Sequence, residues 1–424
     1  MLNLVDIRVG DVLAMLAQIP SNSIDCVVTS PPYWGLRDYG VEGQIGLERS
    51  LGEHLAIMVR VFREIRRVLK PQGTLWLNYG DCYAAAPNGK PAEAYKTDGS
   101  DDRTFRDKPF STVGPIYQAD RNSARGTIRH SDGEQRFVTR REHGGRVVAG
   151  GFLKPKDLCM IPNRLAIALQ DDGWYVRSEI IWHKPNPMPE SVYDRPTSAH
   201  EKIWLLTKSE DYFYNHEAIR EPCSPNTHAR LSQDVQNQVG SLRANGGTRP
   251  DRPMKAVVRA TGPNSRINVD RVPRSRKLAK PGSGTKNNDS MDAALAIMPV
   301  TRNARNVWTI APKAFRDAHF ATFPPALAER CIKAGTPLTV CGCCGAPSGC
   351  GPICETFDRV PGVVLDPFGG AGTVGLVAQE MGLRSILIEL NPEYAEIAWR
   401  RIYGPSVGPI REQHFITSEL RSAA

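Results

Sequence analysis

The feature that most constrains the fold is a pattern near the carboxyl terminus, where two apolar strands alternate with two helices. Residues 362–366 (GVVLD) form an apolar run that ends in an acid, and a glycine-rich turn leads into a helical pattern at 373–381. Residues 385–389 form a second apolar strand, and residues 392–401 form a second helix. This βαβα unit predicts an α/β fold built on a doubly wound, mostly parallel, Rossmann-like sheet.

The turn after the first of these strands reads DPFGGAGTVG (residues 366–375) and indicates a nucleotide-type ligand. Its last six residues spell GxGxxG, and Glu389 lies nineteen residues after the first of those glycines, which also fits a dinucleotide site. A carboxylate at the strand tip, Asp366, would repel a pyrophosphate, but it suits the cationic methionine end of S-adenosylmethionine. The motif therefore favours the methyl donor over NAD, and an NAD-dependent oxidoreductase or a purely structural turn stays as an alternative.

A second motif, TSPPYW at residues 29–34, follows a short apolar strand at 23–29. Alone it indicates only a tight turn, but after a strand its polar groups project from the edge where α/β proteins bind ligands. The exocyclic amine of a base is a poor nucleophile, and acceptors on its hydrogens, Ser30 Oγ and the Pro31 carbonyl, would localise its lone pair in the transition state. Pro32 fixes the carbonyl direction, and Tyr33 offers a face for a flipped base.

Together the two motifs resemble those of amino-directed DNA methyltransferases of the permuted β group, in which SPPY precedes a segment similar to DPFGGAGT. RNA and protein methyltransferases with a similar proline pair usually carry the glycine motif first. The resemblance implies a site-specific enzyme that transfers a methyl group from S-adenosylmethionine to a flipped base in double-stranded DNA. The serine before the proline pair favours cytosine N4, whereas residues 186–189 with His200 and Glu201 also resemble segments of adenine-N6 enzymes.

The resemblance extends over most of the chain and implies roles for individual residues. Asp11 matches an acidic position near the donor's adenosine, and residues 319–324 resemble a segment at the donor's methionine part. Residues 183–189, continuing to 195–197 and 200–201, resemble a stretch near the target-base pocket. The expected catalytic residues are Ser30, Pro31, Pro32 and Tyr33. The expected cofactor-binding residues are Asp11, Phe320, Asp366, Pro367, Phe368, Gly370, Gly372, Thr373 and Glu389.

Basic charge is concentrated in one part of the chain. Residues 221–290 contain thirteen Lys and Arg against five Asp and Glu, and no Phe, Tyr or Trp. Such a segment cannot build a core alone, and its charge indicates either a polyanionic partner or a solvated linker. Its position between the two motifs predicts a target-recognition region, with DNA contacts from Arg271, Arg274, Arg276 and Lys277.

The expected organisation alternates ordered and loop-rich parts. It comprises a catalytic half (1–83), a flexible insertion (84–151), a continuation of the catalytic half (152–220), the basic region (221–300) and a cofactor-binding half (301–424). Within the first part, a helical pattern at 51–70 should be closed by Pro71-Gln72-Gly73, and a strand should begin at Thr74.

Ten cysteines without a secretory signal indicate reduced thiols in a cytoplasmic protein, and no apolar run is long enough to span a membrane. Five cysteines crowd into 341–354, and the spacing predicts one structural zinc held by Cys341, Cys344, Cys350 and Cys354, with reduced surface thiols as the alternative. Spacing alone does not rank Cys343 against Cys344.

A non-catalytic DNA-binding protein is a third interpretation of the sequence, which the intact SPPY and Asp366 argue against. A homodimer and a cognate restriction enzyme are further partners that the resemblance leaves open.

Overall fold

A computed structural model describes the chain at residues 4–35, 39–84, 152–223, 301–313, 324–348, 350, 354 and 358–404, together with the backbone of four short strands between 116 and 148. Proximity of Cα atoms divides the chain into two compact units. One comprises Met1–Asn215 and Asn306–Ala424, and the other comprises His216–Arg305.

The strands are, in chain order, β1 (Val5–Val9), β2 (Ile24–Thr29), β3 (Leu69–Tyr79), β4 (Ile116–Gln118), β5 (Gly126–Arg129), β6 (Gln135–Val138), β7 (Arg146–Val148), β8 (Tyr175–His183), β9 (His200–Thr207), β10 (Glu221–Pro222), β11 (Thr301–Arg302), β12 (Val307–Thr309), β13 (Thr339–Cys341), β14 (Arg359–Pro361), β15 (Val363–Asp366) and β16 (Arg384–Glu389). The α-helices are α1 (Val12–Ala17), α2 (Leu51–Val68), α3 (Ile161–Asp171), α4 (Pro325–Gly335), α5 (Thr373–Glu380) and α6 (Pro392–Tyr403).

An eight-stranded sheet forms the centre of the first unit, in the order β1-β16-β15-β2-β3-β9-β8-β12. The strands from β1 to β3 in this order are parallel, β9 lies antiparallel between β3 and β8, and β12 is parallel to β8. The predicted α/β fold with a doubly wound, mostly parallel sheet is confirmed.

Helices cover both faces of this sheet. Leu75 and Leu77 of β3 pack in one apolar cluster with buried residues of α2. Thr74 and Trp76, which alternate with them along the strand, lie against Gly335 at the end of α4. Because successive side chains of a strand point to opposite faces, α2 and α4 lie on opposite sides of the sheet.

The entry into β3 differs from the prediction at residues 71–73. The helix ends at Val68, and β3 begins immediately at Leu69 rather than at Thr74. Pro71 lies inside the strand because the pairing register with β2 shifts there, from Ile24 opposite Leu69 to Cys26 opposite Thr74. A proline is tolerated at such an irregularity, where no ladder hydrogen bond is required of it.

The predicted insertion contains paired strands: β4 pairs with β7, and β5 pairs with β6, both antiparallel. In the second unit, β10 pairs with β11, and the Arg220 guanidinium donates to Thr301. Arg271, Arg274, Arg276 and Lys277 lie outside the described residues. Within the part of the chain that the structure describes, none of the helices combines the length and the apolar character of a membrane span. The domain roles and the cytoplasmic location stay predictions.

Candidate active site

A cavity of about 240 Å³ opens at the carboxyl edge of the sheet. Its wall includes residues 30–33 after β2, residues 366–371 after β15 and residues 388–391 around the end of β16. These three strands are neighbours in the sheet, so two motifs that are more than three hundred residues apart in sequence meet around one space. The carboxyl edge of a parallel sheet is the usual ligand-binding edge of this fold class.

Asp366 is the buried carboxylate at the tip of β15. Its Oδ1 accepts hydrogen bonds from Thr29 Oγ1 at 2.7 Å and from the Phe368 backbone N–H at 3.1 Å. Its Oδ2 accepts none from the described residues. Burial raises the pKa of Asp366 to about 7, although the hydrogen bond from Thr29 acts in the opposite direction. When the carboxyl group is ionised, its Oδ2 can accept a hydrogen bond from a cationic partner.

Glu389 ends β16 and accepts from two backbone N–H groups, those of Gly370 and Asn391, both at 2.8 Å. Gly370 has a φ of 50°, a left-handed conformation that favours glycine and that directs its N–H to the Glu389 carboxylate. Burial raises the pKa of Glu389. Each carboxylate oxygen keeps a lone pair for a hydroxyl donor in the cavity.

The glycine turn serves two separate purposes. Gly370 and Thr373 line the cavity, whereas Gly372 does not. Gly372 has a φ of 73°, and an added Cβ would lie only 2.8 Å from Ala398 Cβ of α6. Its requirement for glycine thus comes from helix packing. Thr373 accepts a hydrogen bond from the Arg401 guanidinium at 3.0 Å, which fixes the first turn of α5.

Four further residues were expected at the cofactor: Asp11, Phe320, Pro367 and Phe368. Asp11, Pro367 and Phe368 line the cavity. Asp11 also caps α1, because its Oδ1 accepts from the Ala14 backbone N–H at 3.0 Å. Phe320 lies outside the described residues.

The SPPY loop is held by the hydroxyl of Tyr33. This hydroxyl lies 2.7 Å from Glu201 Oε2, accepts from Asn78 Nδ2 at 3.0 Å, and lies 3.4 Å from Ser30 Oγ. Its ring stacks on the ring of Tyr79 with centroids 4.9 Å apart. Burial and then the Glu201 carboxylate raise the pKa of Tyr33 well above its usual value, so the phenol keeps its proton.

Three further polar residues lie beside this loop: Asn78, Lys184 and Glu201. The resemblance placed Lys184 and Glu201 near the target-base pocket without naming a contact for either, and the sequence did not single out Asn78. All three line the cavity. Lys184 pairs with Glu201 Oε1, and Asn78 Nδ2 donates to Glu201 Oε2 at 2.8 Å. Because a carboxylate only accepts, the amide nitrogen of Asn78 must face it, and Asn78 Oδ1 is left buried without a hydrogen-bond partner. The signals for this region were the patterns HKP at 183–185 and HE at 200–201, which the resemblance placed near the base pocket.

A buried polar network supports the loop from below. The Tyr79 hydroxyl lies 3.2 Å from the Pro32 carbonyl oxygen and accepts from the Trp34 backbone N–H at 3.1 Å. His54 connects the Tyr79 hydroxyl to Glu48 through contacts of 2.8 Å on each ring nitrogen. Burial raises the pKa of Glu48, but the hydrogen bond and electrostatic attraction of His54, together with backbone N–H groups such as that of Gly46, outweigh it and lower the net pKa. The direction of the Pro32 carbonyl is thus fixed by tertiary contacts as well as by the proline pair.

Comparisons with known proteins agree with this geometry. A family model for N6/N4 methyltransferases, described as DNA methylase, matches residues 24–400. The type II methyltransferase M.XycI of Xanthomonas campestris pv. cyanopsidis is 37% identical over 95% of this chain and 89% of its own length. M.Cfr9I of Citrobacter freundii is 36% identical over 95% and 89%, and M.SmaI of Serratia marcescens is 35% identical over 93% and 90%.

The chain belongs to the N6/N4 DNA methylase family. It is an S-adenosylmethionine-dependent DNA methyltransferase, as the resemblance predicted. This membership decides the choice that the GxGxxG pattern left open, in favour of the methyl donor and against NAD.

The cavity of this DNA methyltransferase fits the methyl donor by charge and by hydrogen-bonding capacity. Four carboxylates of the described residues border it: Asp11, Glu201, Asp366 and Glu389. Glu201 is paired with Lys184, whereas the other three are not paired with a lysine or arginine in the described part of the cavity wall. Such a wall suits a cationic ligand and disfavours a pyrophosphate. The free Oδ2 of Asp366 suits the ammonium group of the methionine part, and Glu389 suits the ribose hydroxyls.

The methyltransferase also carries a cluster of sulfurs. Four Sγ atoms lie within 4.8 Å of one another, those of Cys341, Cys344, Cys350 and Cys354. Cys343, the rival of Cys344 by spacing, is exposed and is not in the cluster. Hydrogen bonds from the backbone N–H groups of Cys344 and Cys343 lower the pKa of the Cys341 thiol to about 6.

The cluster lies away from the catalytic edge. It follows β13, and Lys70 Nζ donates to the Gly345 carbonyl oxygen at 3.3 Å and to Asp25 at 2.6 Å. Asp25 lies near the amino end of β2, whereas Ser30 follows the carboxyl end of the same strand. The cluster is therefore remote from the cavity along the strand direction.

Proposed function

We propose that the enzyme methylates an exocyclic amino group, cytosine N4 in preference to adenine N6, with Ser30 Oγ and the Pro31 carbonyl as the acceptors of the amine hydrogens. The observation that carries this proposal is the shared cavity, in which the Ser30 loop and the Asp366 loop form adjoining walls. The hydrogen bond of 2.7 Å from Thr29 to Asp366 links those two loops directly.

In this proposal the chain's residues bind and orient the reactants. Asp366 and Glu389 hold the donor, whose sulfonium supplies the methyl group. The amine nitrogen forms the new bond to the methyl carbon, the bond from that carbon to sulfur breaks with its electron pair going to sulfur, and the amine proton leaves to solvent. Ser30 and Pro31 draw the amine hydrogens toward their oxygens, and this localises the nitrogen lone pair as the bond forms.

The preference for cytosine rests on Ser30. In the family that the sequence resembles, Ser before the proline pair is typical of N4 enzymes, and Asp or Asn is typical of N6 enzymes. A hydroxyl and a carboxylate can both accept an amine hydrogen, so the chemistry itself permits either base. The resemblance of residues 186–189 to adenine enzymes supports the second candidate, N6 methylation.

Transfer to an exocyclic amine needs no covalent bond between the enzyme and the base ring. We therefore expect no adduct on DNA that contains 5-fluorocytosine, when the protein is incubated with this DNA and the methyl donor and then denatured. A denaturation-resistant complex on a gel would show attack on the ring and would contradict the proposal. A ring-carbon methyltransferase that is known to form the adduct serves as the positive control.

The basic region 221–300 is proposed as the target-recognition region, with phosphate contacts from Arg271, Arg274, Arg276 and Lys277. The net charge of its first seventy residues supports this proposal.

The names of the type II relatives support a cognate restriction enzyme that recognises the same site. A homodimer is a further proposal, with the elution volume of the purified protein as its test.

The cysteine cluster is proposed to hold one structural zinc. Four thiolates at about 2.3 Å from a tetrahedral zinc have sulfurs about 3.8 Å apart. The distance from Cys341 Sγ to Cys354 Sγ is 3.8 Å, and that from Cys344 Sγ to Cys350 Sγ is 4.0 Å. Four protein ligands leave no open position on the metal, and the cluster's place away from the cavity supports a structural role.

A further inference from the structure

Ser30 faces a problem that an ionised aspartate in its place would not have. A hydroxyl has one hydrogen and two lone pairs, so it can either donate or accept. If the Ser30 hydrogen points at the target amine, the two hydrogens oppose each other and no acceptor is presented. For Ser30 to act as proposed above, something must hold its hydrogen away from the base.

The hydrogen bonds of the Tyr33 hydroxyl can hold the Ser30 hydrogen in this way. The Tyr33 hydroxyl has one hydrogen, and its neighbour at 2.7 Å is Glu201 Oε2. An ionised carboxylate cannot donate, so Tyr33 must donate to it. The Tyr33 oxygen is then left to accept, from Asn78 Nδ2 at 3.0 Å and from Ser30 Oγ at 3.4 Å.

Three donors surround the Glu201 carboxylate. Lys184 pairs with Oε1, while Asn78 Nδ2 and the Tyr33 hydroxyl both donate to Oε2. Tyr33 keeps its proton, because burial and the neighbouring carboxylate raise the pKa of its hydroxyl. The direction of every hydrogen in the chain from Ser30 through Tyr33 to Glu201 is therefore set by one carboxylate.

We propose that Glu201, acting through the Tyr33 hydroxyl, holds the Ser30 hydrogen away from the base, so that Ser30 Oγ presents its lone pairs to the target amine. Glu201 and the Tyr33 hydroxyl are positioning groups in this scheme. The inference rests on the proposed function in one respect, namely that Ser30 accepts an amine hydrogen. As positive charge develops on the amine, the aligned hydroxyls also direct their negative ends toward it.

The test compares Tyr33→Phe and Glu201→Gln with wild type in single-turnover methyl transfer. The substrate is unmethylated duplex DNA that contains the sequence at which the wild-type enzyme transfers its methyl group. Tyr33→Phe keeps the ring that stacks on Tyr79 and removes only the hydroxyl. Each substitution should lower the rate constant about tenfold, the equivalent of one misdirected neutral hydrogen bond. Donor affinity by calorimetry and the unfolding temperature should stay close to wild type.

The double variant separates a relay from two independent effects. Because both groups act through the same Ser30 hydrogen, Tyr33→Phe/Glu201→Gln should lose no more rate than the more damaging single variant. Losses that multiply would overturn the inference. So would a Glu201→Gln enzyme that loses rate and donor affinity in parallel with its unfolding temperature, because a merely structural role produces that result.

Replacement of Ser30 provides the rescue and distinguishes the inference from the proposal beneath it. Ser30→Asp supplies a carboxylate, whose oxygens only accept, so adding Glu201→Gln to it should lower the rate less than threefold. A full tenfold loss in that background would overturn the inference. If Ser30→Ala keeps the wild-type rate, the proposed role of Ser30 fails. If Ser30→Ala is inactive and Glu201→Gln keeps the wild-type rate, the relay alone fails.

Discussion

Thr29 Oγ1 donates a hydrogen bond of 2.7 Å to Asp366 Oδ1, and the two residues are 337 positions apart in the chain. Thr29 ends β2 and leads into the SPPY loop, whereas Asp366 ends β15 and begins the glycine-rich turn. Since β2 and β15 are paired in parallel, this bond joins the catalytic and the cofactor motifs at the edge of the sheet. In the proposed function, this hydrogen bond helps to set the position of the donor's methyl group relative to the target amine.

Asp366→Ala should abolish donor binding, whereas Tyr33→Ala should leave it intact and reduce turnover. The first substitution removes the carboxylate that faces the donor's cationic part. The second removes a ring whose stacking on a base is worth about 1–3 kcal/mol. Titration calorimetry with the methyl donor is the measurement, and equal donor affinity for Asp366→Ala and wild type would contradict the assignment of Asp366.

Donor affinity should fall in acid, because Asp366 must be ionised to bind a cation and burial raises its pKa to about 7. The dissociation constant at pH 6 should be about tenfold larger than at pH 8. Thr29→Val removes a bond that lowers this pKa, so the midpoint should move to higher pH. Asp366→Asn is the control, and its weaker binding should not change over this range. A flat wild-type profile would show that Asp366 is ionised throughout.

The same pKa has a consequence for the stability of the free protein. The folded-state pKa lies above the ordinary aspartate value of 3.8, so with rising pH the folded protein loses this proton later than the unfolded chain. The contribution of Asp366 to the free energy of unfolding therefore falls as pH rises from about 4 to about 7. Donor binding offsets this loss, and the increase in unfolding temperature on adding donor should be larger at pH 8 than at pH 6.

The sequence was most informative where a motif follows a strand directly. The strand at 363–366, the glycine turn and the SPPY loop could be placed because each pattern is local, and the carboxyl edge of the sheet then brings them together. Glu201 was placed near the base pocket by resemblance alone, and its contact with the Tyr33 hydroxyl was not predicted. It reaches Tyr33 because β3 and β9 pair antiparallel, with Asn78 opposite Ile203, and this register has no local signal.

Two other features depended on tertiary structure for similar reasons. Pro71 was predicted to separate a helix from a strand, but the irregular pairing with β2 accommodates it within β3. Gly372 was predicted to contact the cofactor, but the close approach of Ala398 accounts for the glycine. Chain packing determines both, and neither neighbour is close in sequence.

The cysteine cluster should contain one zinc per chain, and two adjacent cysteines provide a matched pair of variants. Cys344→Ser removes a sulfur of the cluster, whereas Cys343→Ser removes an exposed sulfur that is not part of it. Metal analysis should find zinc lost in the first variant and retained in the second, and only the first should unfold at a lower temperature. A wild-type protein that contains no metal, and in which the four thiols of the cluster react at once with a thiol reagent, would establish free cysteines.

Neutralising Arg271, Arg274, Arg276 and Lys277 should weaken DNA binding and reduce its dependence on salt. Each lost phosphate contact should lower the slope of log affinity against log salt by about one unit. Titrations at several salt concentrations with wild type and the variant give this slope. An unchanged slope would assign the charge of this segment to a linker.

Methyl transfer to an exocyclic amine, cytosine N4 in preference to adenine N6, is the activity proposed for this enzyme. The most direct measurement is to incubate the wild-type protein with methyl donor and duplex DNA, digest the DNA to nucleosides and separate them by mass. We predict N4-methyldeoxycytidine, and its absence with Ser30→Ala. N6-methyldeoxyadenosine alone would reverse the choice of base, and 5-methyldeoxycytidine would contradict the proposed chemistry at Ser30 and Pro31.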